Sequence, residues 1–146
     1  MFSIDDLAAA KGRTTGWDGV RNHQAKITLR DHVKKGDLVL FYHSSADPPG
    51  AAGIAEIVRE GYPDPTQFDP ASDHFDAAAS RESPVWIAVD VRLVRKFARI
   101  VTLAEIRAHP GLAKMDLLRR GNRLSVQPVA PAEFEIVEAL GASAGR

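Results

Sequence analysis

At 146 residues the chain has room for one hydrophobic core and not for two of ordinary size, so a single domain is expected over residues 1–141, with a frayed tail at 142–146. Its 45% apolar and 26% charged residues, balanced to a formal net charge of zero, exclude a disordered chain and a scaffold that binds nucleic acid by blanket phosphate neutralisation. The absence of cysteine excludes disulfides and thiolate metal sites. With no apolar run of membrane-spanning length and no signal-peptide start in Met1-Phe2-Ser3-Ile4-Asp5-Asp6, a monomeric cytoplasmic protein is expected.

Ser3 followed by Asp6 reads as a capping box for a short helix through Leu7 and the alanines, with Gly12 as its stop and a turn at Thr14-Thr15-Gly16. From Arg21 to Lys35, Ala25, Leu29 and Val33 recur at spacings of four and mark one helix stripe, ended by Gly36. The β-branched and aromatic run Asp37 to His43 predicts a buried strand closed by Pro48-Pro49-Gly50, and a second strand is expected over Ala51 to Arg59. Gly61 to Pro84 is rich in Pro, Asp and Ser and too long for a featureless connection, so a packed functional loop is expected.

Val85 to Phe97 predicts one long strand with Trp86 in the core. Arg92 and Arg95 cannot share a face in regular alternation, so a bulge is expected between them. Thr102 and Glu105 form a second capping box, for Leu103 to Ala108, ended by Pro110. Ser125 to Val129 fits a closing strand at an edge, and Pro131 opens a last helix through Leu140, stopped by Gly141. Strands with helices at their ends and corners, rather than in strict alternation, indicate an α+β fold with a small curved sheet or barrel.

Three polar stretches are not needed to build that core: Trp17-Asp18-Gly19-Val20-Arg21-Asn22, Phe41-Tyr42-His43-Ser44 and Arg119 to Val129. They offer flat rings, amides, hydroxyls and guanidinium groups, the chemistry that stacks on a base and reads its edge. Trp17 in its turn is a stacking wall or a plug at the end of the fold. Asn22 reads a base edge or caps its helix. Tyr42, His43 and Ser44 lie at a strand end, with Tyr42 and His43 on opposite faces, so that at least one of the two is expected in the core. Arg123, Ser125 and Gln127 share one strand face and complete the candidate pocket. Arg21, Lys26 and Arg30 on the helix, with Arg119 and Arg120, are the candidate phosphate contacts; a solvated charged face is the alternative for the basic clusters, which also include Arg92, Arg95, Lys96 and Arg99. The acidic loop Asp69 to Asp76 with His74 matches no calcium-loop spacing, and no metal or cofactor is expected.

Taken together, the first two stretches, Pro49-Gly50 with Gly53-Ile54-Ala55, and Arg123-Leu124-Ser125-Val126-Gln127-Pro128-Val129 resemble the EVE domain family over Ser3 to Leu140. The resemblance implies a PUA-like β-barrel with short helices packed at its ends and sides, related to the YTH and ASCH domains. It also implies a non-enzymatic module that binds nucleic acid carrying modified bases, notably methylated or hydroxymethylated cytosine in DNA, or modified RNA. Members usually begin with an extra apolar strand ending in Lys-Ser-Glu-Pro, and a start assigned too far downstream is the expected reason that this sequence opens after it. Where members tend to read Arg-Asn-Tyr-Gln-Ala-Arg-Asn, this chain reads Arg21 to Ile27 with His23 and Ile27 in place of Tyr and Asn, which would retune the pocket wall. Two alternatives stay open: an ASCH-type hydrolase of acylated nucleosides, with Lys26, Thr28 and Glu56 as candidates in type, and a protein-interaction domain with a vestigial pocket.

Overall fold

In the computed structural model, which describes residues 3–44, 46–118 and 127–142, both capping boxes form. The Ser3 hydroxyl accepts the Asp6 N–H at 3.1 Å while the Asp6 carboxylate accepts the Ser3 N–H at 2.8 Å, opening α1 (Ile4–Ala9). Thr102 and Glu105 exchange the same pair of bonds and open α3 (Leu103–Ala108). Each box satisfies donors that the first helical turn leaves without partners, which is why such short helices start where they do.

Four antiparallel strands make one sheet in the order β1-β4-β3-β2, with β1 (Thr14–Trp17), β2 (Leu38–His43), β3 (Gly50–Pro63) and β4 (Ile87–Thr102). The architecture is α+β as expected. Among the described residues the sheet does not close, β1 and β2 being its edges, so the expected barrel is a loose one. The anticipated bulge is present: Ile54 faces Arg95 and Ala55 faces Leu93, which leaves Val94 as an extra residue and lets Arg92 and Arg95 both point to solvent.

Several boundaries differ from the sequence reading. Thr14 to Gly16 is strand and not turn, because β4 supplies its ladder partners, from Thr14 opposite Arg92 to Trp17 opposite Val89. The second strand continues past Arg59 to Pro63 on the strength of its pairing with residues 87–91 of β4. Helix α2 (His23–Asp31) stops before Val33, which still packs on the core, and Gly36 serves the following turn at φ +94°. The expected closing strand falls partly outside the described residues, and Gln127 to Val129 are not part of the sheet. Helix α4 (Pro131–Ala142) runs through Gly141 instead of ending there. That glycine lies against the ring of Phe97, where a β-carbon would collide.

The core has two centres. One joins Leu7 of α1 and Leu29 of α2 to Phe41, Ala55 and Val91 of the sheet; the other joins Ile54, Phe97 and Val101 to Ile106, Leu112 and Val137 beneath α3 and α4. Trp86 is buried, as expected.

Candidate functional site

Trp17 ends β1, and Asn22 caps α2 by accepting the Ala25 N–H at 3.0 Å. The segment between them is held by one buried carboxylate. Asp64 accepts the Gly19 N–H at 2.8 Å and the Arg21 guanidinium at 2.9 Å on one oxygen, and the Thr66 N–H and hydroxyl at 2.8 and 2.6 Å on the other. Arg21 also reaches the Thr66 hydroxyl and the His74 carbonyl. Burial opposes the charge on Asp64, yet the bonds from Thr66, Gly19 and Arg21 outweigh it and hold the carboxyl below its ordinary value. Gly19 has φ +78°, and a β-carbon there would sit 2.7 Å from the His74 ring, so backbone and packing both require glycine.

The long loop after β3 is packed as expected. Fully buried Gln67 donates to the Asp64 and Trp86 carbonyls and accepts from the Val85 and Trp86 N–H groups. The Trp86 indole N–H donates to Asp76 at 2.7 Å, and its ring is covered by His23 at 4.7 Å and flanked by Arg21 and Lys26. His23 therefore covers Trp86, Ile27 is 42% exposed, and neither lines the cavity along β2.

A cavity of about 680 Å³ lies along β2, lined on its far sides by α2, Met115, Leu117, residues 127–129 and α4. Four of the candidate base-pocket residues line it, Trp17, Tyr42, Ser44 and Gln127, and so does Thr28 among the hydrolase candidates. Trp17 meets Phe41 edge to face at 5.4 Å and borders the first core centre, whereas Tyr42 borders the second, so the cavity spans their junction. Its walls are otherwise mostly aliphatic. Burial pushes the Tyr42 hydroxyl up, against the pull of the Arg107 charge, so at neutral pH it remains a hydrogen-bond donor.

The remaining candidates have other partners. His43 accepts the Ile4 N–H at 3.0 Å through Nε2 and meets Phe41 edge-on, tying α1 to β2 without lining the cavity. Asn22 is a cap, Arg21 is locked to Asp64, Arg30 pairs with Asp31 at 2.9 Å, and Lys26 lies over Trp86. Arg119, Arg120, Arg123 and Ser125 lie outside the described residues. The cations of β4 are paired across the surface: Arg92 with Glu56 of β3, Arg95 with Glu138 of α4, Lys96 with Asp5 of α1 and Arg99 with Glu105 of α3. The hydrolase candidates are dispersed too: Glu56 is held by Arg92, Lys26 faces Trp86, and the Thr28 hydroxyl donates to the Gln24 carbonyl. Sequence reasoning missed Asp64 and Arg107. Nothing local to Asp64 announces a partner 43 residues upstream, and Arg107 lies between Ile106 and Ala108 with no motif around it.

The family model for the EVE domain matches residues 1–140. Thymocyte nuclear protein 1 is 44% identical in Gallus gallus and 42% in Homo sapiens, over 95% of this chain in each case and over 60% and 64% of the relatives. The chain thus spans just under two thirds of the length of these curated relatives. Human THYN1, solved in complex with 5-methylcytosine containing DNA, superposes with a TM-score of 0.91 at 41% identity, covering 99% of this chain and 88% of that one. A protein of Pseudomonas syringae superposes with a TM-score of 0.90 at 42% identity, covering 95% and 91%. No helix among the described residues is long and apolar enough to cross a membrane.

Proposed function

This chain belongs to the EVE domain family, and we propose that it is a DNA-binding module that takes a flipped, C5-methylated cytosine into the cavity beside β2. The observation that carries the reading is the convergence of Trp17, Tyr42 with Ser44, and Gln127, from three separate parts of the sequence, on one mostly apolar cavity. The likeness to human THYN1, whose structure holds 5-methylcytosine DNA, supports it. Trp17 supplies a ring face for stacking. Tyr42 donates to the acceptors on the pyrimidine edge, Ser44 and Gln127 add polar contacts, and the aliphatic wall receives the methyl group.

Magnitudes set what this pocket must do. Flipping costs a few kcal/mol, and stacking on an aromatic ring returns about 1–3 kcal/mol. Burying one methyl adds about 0.8 kcal/mol, or roughly fourfold in affinity. Selectivity beyond fourfold therefore has to come from the polar groups.

The test is a titration of labelled duplexes, matched except for one cytosine or 5-methylcytosine, against the wild type and Trp17→Ala. The methylated duplex should bind at least about fourfold more tightly, and Trp17→Ala should weaken it by roughly tenfold. Equal affinity for the two duplexes in the wild type would overturn the reading.

A further inference from the structure

A flipped base brings its own phosphates to the cavity mouth, and most of the described cations considered for them are engaged elsewhere: Arg21 by Asp64, Arg30 by Asp31, Lys26 over Trp86, and those of β4 by carboxylates on four different elements, while Arg119 and Arg120 lie outside the described residues. Two other cations adjoin cavity-lining residues in sequence. Ile106 and Met115 both line the cavity and are 1% and 5% exposed, and each is next in sequence to an exposed cation, Arg107 and Lys114 respectively. The chain between them is a tight lip. Helix α3 ends at Ala108, His109 accepts the Gly111 N–H at 3.0 Å, and Leu112 is fully buried, so the cations are carried on an anchored edge. Among the described residues no carboxylate pairs with either of them.

We propose that Arg107 and Lys114 form the phosphate-holding rim of the cavity, gripping the DNA backbone on either side of the nucleotide whose base enters beside Tyr42. This rests on the base-reading function above and adds to it the residues that supply sequence-independent affinity. Phosphate contacts position, whereas base contacts specify. The two roles therefore fall on separate side chains and can be separated by measurement. The Arg107 charge acts on the Tyr42 hydroxyl, which lines the cavity.

Affinity for the methylated and unmethylated duplexes is measured as a function of salt for the wild type, Arg107→Ala, Lys114→Ala, the double variant, and Arg95→Ala as a surface control. Each rim substitution should make the slope of log K against log salt shallower by about 0.7–0.9 and weaken binding about eightfold at 0.1 M salt. The ratio between the two duplexes should not change, and Arg95→Ala should leave the slope alone. An unchanged slope in the double variant, with methyl preference intact, overturns the rim and leaves the base-reading function standing. Equal binding of both duplexes by the wild type, with a shallower slope in the double variant, sinks the base reading and upholds the rim as a phosphate site. Absence of salt-dependent binding in the wild type overturns both.

Discussion

Asp64 shows how much of the site's geometry hangs on one side chain. It is fully buried, and four donors from Gly19, Arg21 and Thr66 converge on its two oxygens. Asp64→Asn removes the charge and turns a donor towards donors, leaving Arg21 with its side chain only 23% exposed and without its paired carboxylate. The expected cost is about 2–3 kcal/mol, below the full value for a broken buried pair because Arg21 keeps some water. Urea unfolding reads it directly. Since the folded Asp64 carboxyl lies below its unfolded value of about 3.9, its contribution is fully present above that pH and is lost as pH falls through the folded value. Wild-type stability should therefore drop below about pH 4 more steeply than that of Asp64→Asn. Parallel pH curves for the two proteins would show that the hub is not carried by the charge.

Among the elements, α4 gives the sharpest test of packing against propensity. Gly141 inside that helix would ordinarily gain up to about 1 kcal/mol on replacement by Ala. Here the new methyl would meet the Phe97 ring, itself 4% exposed and with no room to retreat, at about 1–3 kcal/mol for overpacking. Gly141→Ala should thus be destabilising by about 1–2 kcal/mol, the packing cost exceeding the helical gain. A rise in the denaturation midpoint would mean that Phe97 yields to the new methyl and that the helical gain exceeds the packing cost. What was legible from sequence follows the same division between local and distant causes. The two capping boxes close within four residues, so Ser3 with Asp6 and Thr102 with Glu105 could be read directly. The bulge at Val94 was legible because alternation failed within a single strand. By contrast, β1 is four residues long and exists through its pairing with a strand more than seventy residues away, so Thr14 to Gly16 looked like a turn. The site divides likewise. Trp17, Tyr42, Ser44 and Gln127 stood out by residue type and line the cavity, whereas Arg21 and Asn22 stood out equally and are spent on Asp64 and on the α2 cap.

For the whole molecule, the relevant quantity is the cavity against what fills it. At about 680 Å³ the cavity is in the range of sites that hold a small molecule. A ligand that enters it binds the folded chain and not the unfolded one, so it must raise the apparent stability by mass action. At one hundred times Kd the gain is about 2.7 kcal/mol, which for a domain of this size raises Tm by about 5–10 °C. If the methyl contributes its burial energy of about 0.8 kcal/mol, the unmethylated duplex at the same concentration should fall short by about 2–3 °C. The zero net charge matters for this comparison. A strongly basic protein would be stabilised by any polyanion, and the difference between duplexes would be lost beneath that shared effect. Thermal unfolding with each duplex checks it, and Trp17→Ala should bring the two Tm values together because the base no longer has its stacking wall. Equal shifts with the wild type would mean that DNA binds outside the cavity, on charge alone.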